Sequence, residues 1–194
     1  MDDLVVKKRI VVVTDGDQSA WRAARRAVVE LGLGFVDITE GNPTRATLAE
    51  VEEALVASPY EVVVVLADDG GTAGIGPGER LIEALARSPA VEIVAAVAVA
   101  SWAHQESEVR VDESVTAEGS VVATAVDKEG RPVPGKRLSG DTVGVLRRLC
   151  VPIVGVGDIG EDGHACGVPA LRKALAEALR LAAPTAIEVE EPMQ

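Results

Sequence analysis

Aromatic residues are nearly absent from this 194-residue chain. Only Trp21, Phe35, Tyr60 and Trp102 are present, about 2% of the sequence. The core must therefore come from Val, Ala, Leu and Ile, and a base-stacking nucleic-acid surface is not provided for. Positive charge is also scarce: 19 Lys and Arg stand against 31 Asp and Glu, for a net charge of −12. That balance speaks against a nucleic-acid partner and against general attraction to anionic lipid. The two cysteines, Cys150 and Cys166, form no Cys-x-x-Cys pair and no disulfide framework. Cys150 closes an apolar helix face and is expected to be a buried free thiol. His164-x-Cys166 could supply half of a soft metal site, which normally needs three or four ligands. No apolar run reaches membrane-spanning length; the longest, Ile93 to Ala100, is far too short. The acidic start Met1-Asp2-Asp3 lacks the basic region of a signal peptide, so export by that route is not expected.

What the chain does have is a set of buried-looking strands, each running into a loop rich in Asp and Gly. Arg9 to Thr14 runs into Asp15-Gly16-Asp17. Val62 to Leu66 runs into Asp68-Asp69-Gly70-Gly71, and Pro152 to Val156 into Gly157-Asp158-Ile159-Gly160. Continuous apolar runs of this kind suit a parallel sheet covered on both faces. The carboxyl ends of such strands open into one crevice, where ligands bind.

Helix signals separate the strands. Asp17 can cap a helix over Gln18–Leu31, with Ala20, Ala24, Ala27, Val28 and Leu31 on one face and Gly32 as the stop. Leu33 to Thr39 reads as a second strand, and Gly41 to Thr44 as a turn. Thr47 and Glu50 have capping-box spacing ahead of Leu48, Val51 and Leu55. Pro77 suits a first helical turn before Leu81, Ile82 and Leu85. Val91 to Ala100 is a fourth strand. Glu108 to Val126 alternates and reads as a β-hairpin, followed by a basic, Pro-containing loop from Arg131 to Ser139. A helix is expected from Asp141, through Val143, Leu146 and Leu149, and a last one from Pro169 to Leu181. The helices after Gly76-Pro77 and Gly167-Val168-Pro169 would each aim an N-terminus at the crevice.

The expected architecture is a three-layer α/β sandwich with a mainly parallel, Rossmann-like sheet. Residues 1–183 are expected to form one domain with a hairpin insertion at about 105–139, and 184–194 an acidic flexible tail.

The candidate site follows from the loops. Asp15, Asp17, Asp68, Asp69 and Asp158 are candidate ligands for a hard divalent cation, calcium or magnesium. Helix capping and turn formation are the competing roles for the same residues. Thr14, Asn42, Gly70, Gly71, Ser101, His104 and Gly157 are candidate ligand-binding positions around them. The glycines near residues 70–78 form neither a phosphate-binding Gly-Lys-Ser/Thr loop nor a dinucleotide fingerprint. Ser101 and His104 lack an identifiable third catalytic partner. Arg131, Lys136 and Arg137 could meet an anionic ligand or a partner.

Several segments occur together in a set order. They are Val13-Thr14-Asp15-Gly16-Asp17, Gly41-Asn42-Pro43-Thr44, Asp68-Asp69-Gly70 and Gly76-Pro77-Gly78-Glu79. Val99-Ala100-Ser101, Val126-Asp127-Lys128, Gly140-Asp141-Thr142-Val143, Gly155 to Gly160 and Pro169 to Leu175 follow. The ordered set resembles the stage V sporulation protein AE family of spore-forming bacteria. The resemblance implies a place in the machinery that moves dipicolinate, with calcium, across the spore inner membrane. It implies a cytoplasmic or peripheral accessory subunit, with other inner-membrane transport proteins as partners, and it names a process but no reaction. The rival reading is a magnesium-dependent phosphoryl-transfer or phosphohydrolase enzyme. Its haloacid-dehalogenase-like and toprim-like patterns fit poorly: Thr14 intervenes before the first Asp, no partner lysine is evident, and the toprim order of acidic motifs is reversed.

Overall fold

The computed structural model describes residues 7–72, 75–101, 107–160 and 163–184. The chain begins with β1 (Lys8–Val13), α1 (Gln18–Leu31), β2 (Gly34–Phe35), α2 (Leu48–Ala57) and β3 (Val62–Leu66). It continues with α3 (Pro77–Arg87), β4 (Val91–Val99), β5 (Ser107–Arg110), β6 (Glu113–Val115), β7 (Val121–Val122) and β8 (Arg137–Gly140). β9 (Ile153–Val156) and α4 (Val168–Ala182) close it. Seven strands form one sheet in the order β2-β3-β1-β4-β9-β6-β7. Every pairing in it is parallel except β6 with β7. β5 and β8 form a separate antiparallel pair. The expected α/β sandwich with a mainly parallel sheet is what the chain forms.

Alternation along β1 sends side chains to two cores. Ile10 and Val12 join Val51, Leu55, Leu81, Ile82 and Leu85 under α2 and α3. Val11 and Val13 join Ala20, Ala24, Leu171 and Leu175 under α1 and α4. The alanine-rich face of α1 permits close packing where aromatics are lacking. β1 is therefore followed by a helix on one face, while its neighbours β3 and β4 lead to elements on the other. Connections that part in this way leave a crevice above the strand ends.

Local signals fix the helix ends. Asp17 accepts a hydrogen bond from the Ala20 N–H at 2.8 Å, and Gly32 ends α1 in the left-handed region. The capping box at α2 is complete: the Glu50 N–H donates to Thr47 Oγ1, and the Thr47 N–H to Glu50 Oε2. Thr47→Ala should cost about 1 kcal/mol, lowering the melting temperature by roughly 2–4 °C in a thermal scan.

Four expectations need correction. The second strand is short, because after Phe35 the chain leaves the sheet edge as a 3₁₀ turn, Asp37–Thr39. Thr39 drives this: its hydroxyl donates to the Val36 carbonyl at 2.8 Å while accepting from the Leu66 N–H. The hairpin is also partitioned differently. β6 and β7 pair as a hairpin, but β5 pairs with β8, inside the segment read as a basic loop. Asp112 separates the two: its N–H donates to the Ile153 carbonyl, and its carboxylate accepts from the Ile153 N–H. That exchange turns β6 onto β9 as a parallel neighbour. The helix expected from Asp141 is only a 3₁₀ turn, Gly144–Arg148. Asp141 and Thr142 are held instead by the loop after β3, described below. Finally, Cys150 is exposed, lying beyond that shortened turn, whereas Cys166 is buried. His104, Gly74 and the tail beyond Pro184 lie outside the described residues.

Candidate functional site

Four loops meet above the carboxyl ends of β1, β3, β4 and β9. They are tied together by backbone groups. The Gly41 N–H donates to the Gly16 carbonyl at 2.7 Å, and the Thr44 N–H to the Asp68 carbonyl at 2.9 Å. The Asp68 N–H returns to Thr44 Oγ1 at 2.9 Å. Asn42-Pro43 is a cis peptide within this junction. Thr14 is buried below it and accepts from the Val99 N–H at 3.0 Å, joining β1 to β4.

The loops enclose a cleft of about 340 Å³. Thr14, Asp15, Asp17, Asn42, Asp68, Gly71, Ser101 and Asp158 line it, as candidate positions. Gly70, Asp69 and Gly157 do not. Gly70 takes the left-handed turn beneath Asn42, and its N–H donates to Asp68 Oδ1 at 2.6 Å. Asp69 points away and accepts from the Glu79 N–H at 2.9 Å, satisfying the start of α3. Gly157 is a close-approach position, where a Cβ would meet the Lys128 carbonyl and the Gly130 N–H at under 3 Å.

Further wall residues are Val99, Lys128, Asp141, Thr142 and His164. Asp141 Oδ2 accepts from the Gly71 N–H at 2.7 Å, and Thr142 Oγ1 from the Asp69 N–H at 3.0 Å. Ser101 Oγ accepts from the Asp141 N–H at 3.0 Å. Lys128 reaches Asp158 at 3.4 Å, and His164 Nδ1 lies 3.0 Å from the other Asp158 oxygen. The Gly140-Asp141-Thr142 run, which follows the basic loop, was the available signal for two of these residues. Lys128, in an ordinary turn, carried none.

Charge is unevenly compensated across this cleft. Asp158 has Lys128 and His164 beside it. At Asp15, loss of solvent raises the pKa well above the usual aspartate range, and the charges of Asp17 and Asp68 add to the effect. Its carboxyl edges the cleft, yet protein atoms pack densely around it. Asp68 is pushed up to about 6, first by burial and then by Asp141 and Asp17, against the opposing Gly70 N–H. Buried carboxylates near one another favour a proton or a cation between them. Their hard oxygens suit calcium or magnesium in type. Among the described residues, however, no three His, Cys, Asp or Glu side chains converge as a cage. Cys166 contributes no thiolate: burial pushes its pKa up to about 11, and its sulfur packs beneath Gly130 and Gly157.

Among the described residues no helix is long and apolar enough to cross a membrane. No curated protein and no solved structure is significantly similar to the chain. A sequence model of the family described as stage V sporulation protein AE1 matches residues 9–182, from β1 to the end of α4. The chain thus belongs to the stage V sporulation protein AE family, and its role lies in sporulation.

Proposed function

We propose that this chain is an accessory binding subunit of the machinery that moves calcium dipicolinate across the spore inner membrane. The cleft above β1, β3, β4 and β9 holds that cargo. The observation that carries this reading is the pair Asp15 and Asp68, both with raised pKa and both facing one cleft. A cation placed between them relieves the cost of their ionisation. Calcium takes six to eight oxygen ligands, and dipicolinate brings carboxylates of its own. The protein then needs to supply only part of the shell, in keeping with an incomplete cage. Lys128 and His164, on the same cleft, are placed to meet the anion.

Thermal unfolding with calcium, magnesium and dipicolinate, singly and together, tests this. Calcium and dipicolinate together should raise the melting temperature most. At a hundredfold excess over Kd the gain is about 2.7 kcal/mol, or roughly 5–10 °C. The combined variant Asp15→Asn, Asp68→Asn, Asp158→Asn should fold and lose the shift. A rise with magnesium alone would favour phosphoryl chemistry instead. No rise under any condition would overturn the cargo site.

A further inference from the structure

The segment Arg131 to Ser139 is basic in an otherwise acidic chain. Its last three residues, Arg137 to Ser139, lie in β8, which pairs antiparallel with β5. The register sets Arg110 directly opposite Arg137. Residues opposite each other share a face, and like charges in that position are destabilising. A groove of about 370 Å³ runs along this face, bounded by Arg110, Lys136, Arg137 and Arg147, with Glu108 the single carboxylate. It shares no lining residue with the acidic cleft.

The cations here are poorly neutralised. Glu108 lies 3.3 Å from Arg137, while Arg147 donates to the Glu108 backbone carbonyl rather than to a carboxylate. Lys136 Nζ likewise holds a backbone carbonyl, that of Asp112, at 2.6 Å. Among the described residues Arg110 makes no ion pair or hydrogen bond, and its side chain is exposed. Two neighbouring guanidinium groups present paired N–H forks that match a tetrahedral oxyanion. A dianionic phosphate would offset the excess charge in the smallest volume.

The geometry points to this groove as a binding site for a phosphate-bearing ligand. The phosphate can come from a free compound or from a lipid headgroup, since the groove is open and the same cations recognise both. Binding is set by Arg110 and Arg137, with Lys136 and Arg147 at the edges.

The test uses the full chain with EDTA present, which keeps divalent ions out of the acidic cleft. Calorimetric titration with pyrophosphate forms one arm. Co-sedimentation with phosphatidic acid vesicles, whose headgroup is a phosphomonoester, against phosphatidylcholine vesicles, forms the second. A hepta-glutamate peptide forms the third. Binding in either phosphate arm should fall about tenfold or more in Arg110→Gln with Arg137→Gln, and should weaken with added salt. The melting temperature of that variant should not drop, because a like-charge pair is removed. Lys136→Gln is a second variant, expected to weaken binding less. Pyrophosphate binding without vesicle binding assigns a free phosphate compound. Vesicle binding without pyrophosphate binding assigns the headgroup. Failure of both phosphate probes, binding to the glutamate peptide alone, or undiminished binding by the arginine variants would overturn the assignment.

Discussion

Asp68→Asn should make the ligand-free protein more stable at pH 7 while weakening the calcium dipicolinate binding proposed for the cleft. The side chain is buried, 6% exposed, and its pKa stands at about 6, chiefly because burial disfavours the charged form. A folded-state pKa above the unfolded one means that the native state holds the proton more tightly. The stabilising contribution is therefore complete below the ordinary aspartate value near 4 and is lost as pH rises through about 6. Above that range the wild type carries the ionised group as a cost. A shift of this size corresponds to about 2 kcal/mol after allowance for partial solvent access. Asparagine keeps an oxygen for the Gly70 N–H and removes the repulsion from Asp141 and Asp17. Urea unfolding from pH 4 to 8 should show the two proteins alike at the acid end, with the variant ahead by about 2 kcal/mol at the neutral end. A variant less stable than wild type at pH 7 would mean that the carboxylate is already compensated. With Asp68 intact, the proposed affinity for the calcium complex should fall as the solution is acidified through pH 6, because proton and cation would compete for the same oxygens.

Gly78→Ala should be a severely damaging single-methyl change near the site. Gly78 is the second residue of α3, and in an exposed helix alanine would be favoured by about 1 kcal/mol. Here a Cβ would stand 2.6 Å from the Asp68 nitrogen and 2.7 and 2.8 Å from its carbonyl carbon and oxygen. These are backbone atoms at the end of a central strand, and they cannot rotate away. The helix start must lift, which breaks the hydrogen bond from the Glu79 N–H to Asp69 and moves Asp68 within the cleft. Overpacking of this kind costs about 3 kcal/mol, expected as a fall of roughly 6–12 °C in melting temperature together with loss of ligand-induced stabilisation. A normal melting temperature would show that α3 is free to slide over the strand end.

The parts of this architecture that the sequence made legible share one property: their determinants are local. The apolar runs of β1 and β3, the Asp17 and Thr47 caps and Pro77 at the start of α3 each declare themselves within a few residues. The convergence of Asp15, Asp17, Asp68 and Asp158 followed from one general rule, that parallel strands deliver their ends to the same side. What stayed hidden depends on distant partners. Asp141 enters the site because it meets Gly71, 70 residues earlier, and Thr142 because it meets Asp69, 73 residues earlier. β8 is short, basic and preceded by Pro134 and Gly135; only its pairing with β5 makes it a strand. Cys150 is exposed because the apolar spacing of Val143, Leu146 and Leu149 produces only a 3₁₀ turn and no longer helix. Asp69 resembled Asp68 in sequence, and only the position of α3 separates the capping carboxylate from the one that faces the cleft.

The placement of β9 has a consequence for how the molecule is made. β9 lies between β4 and β6, pairing with both. Emerging from the ribosome, β4 precedes it by more than fifty residues and β6 by nearly forty. Until Ile153 to Val156 is synthesised, the outer edge of β4 has no neighbour, and the β6–β7 hairpin has no sheet to join. The nascent chain therefore carries two unpaired strand edges of the kind that invite pairing with another chain. One four-residue strand, arriving late, closes both of them at once.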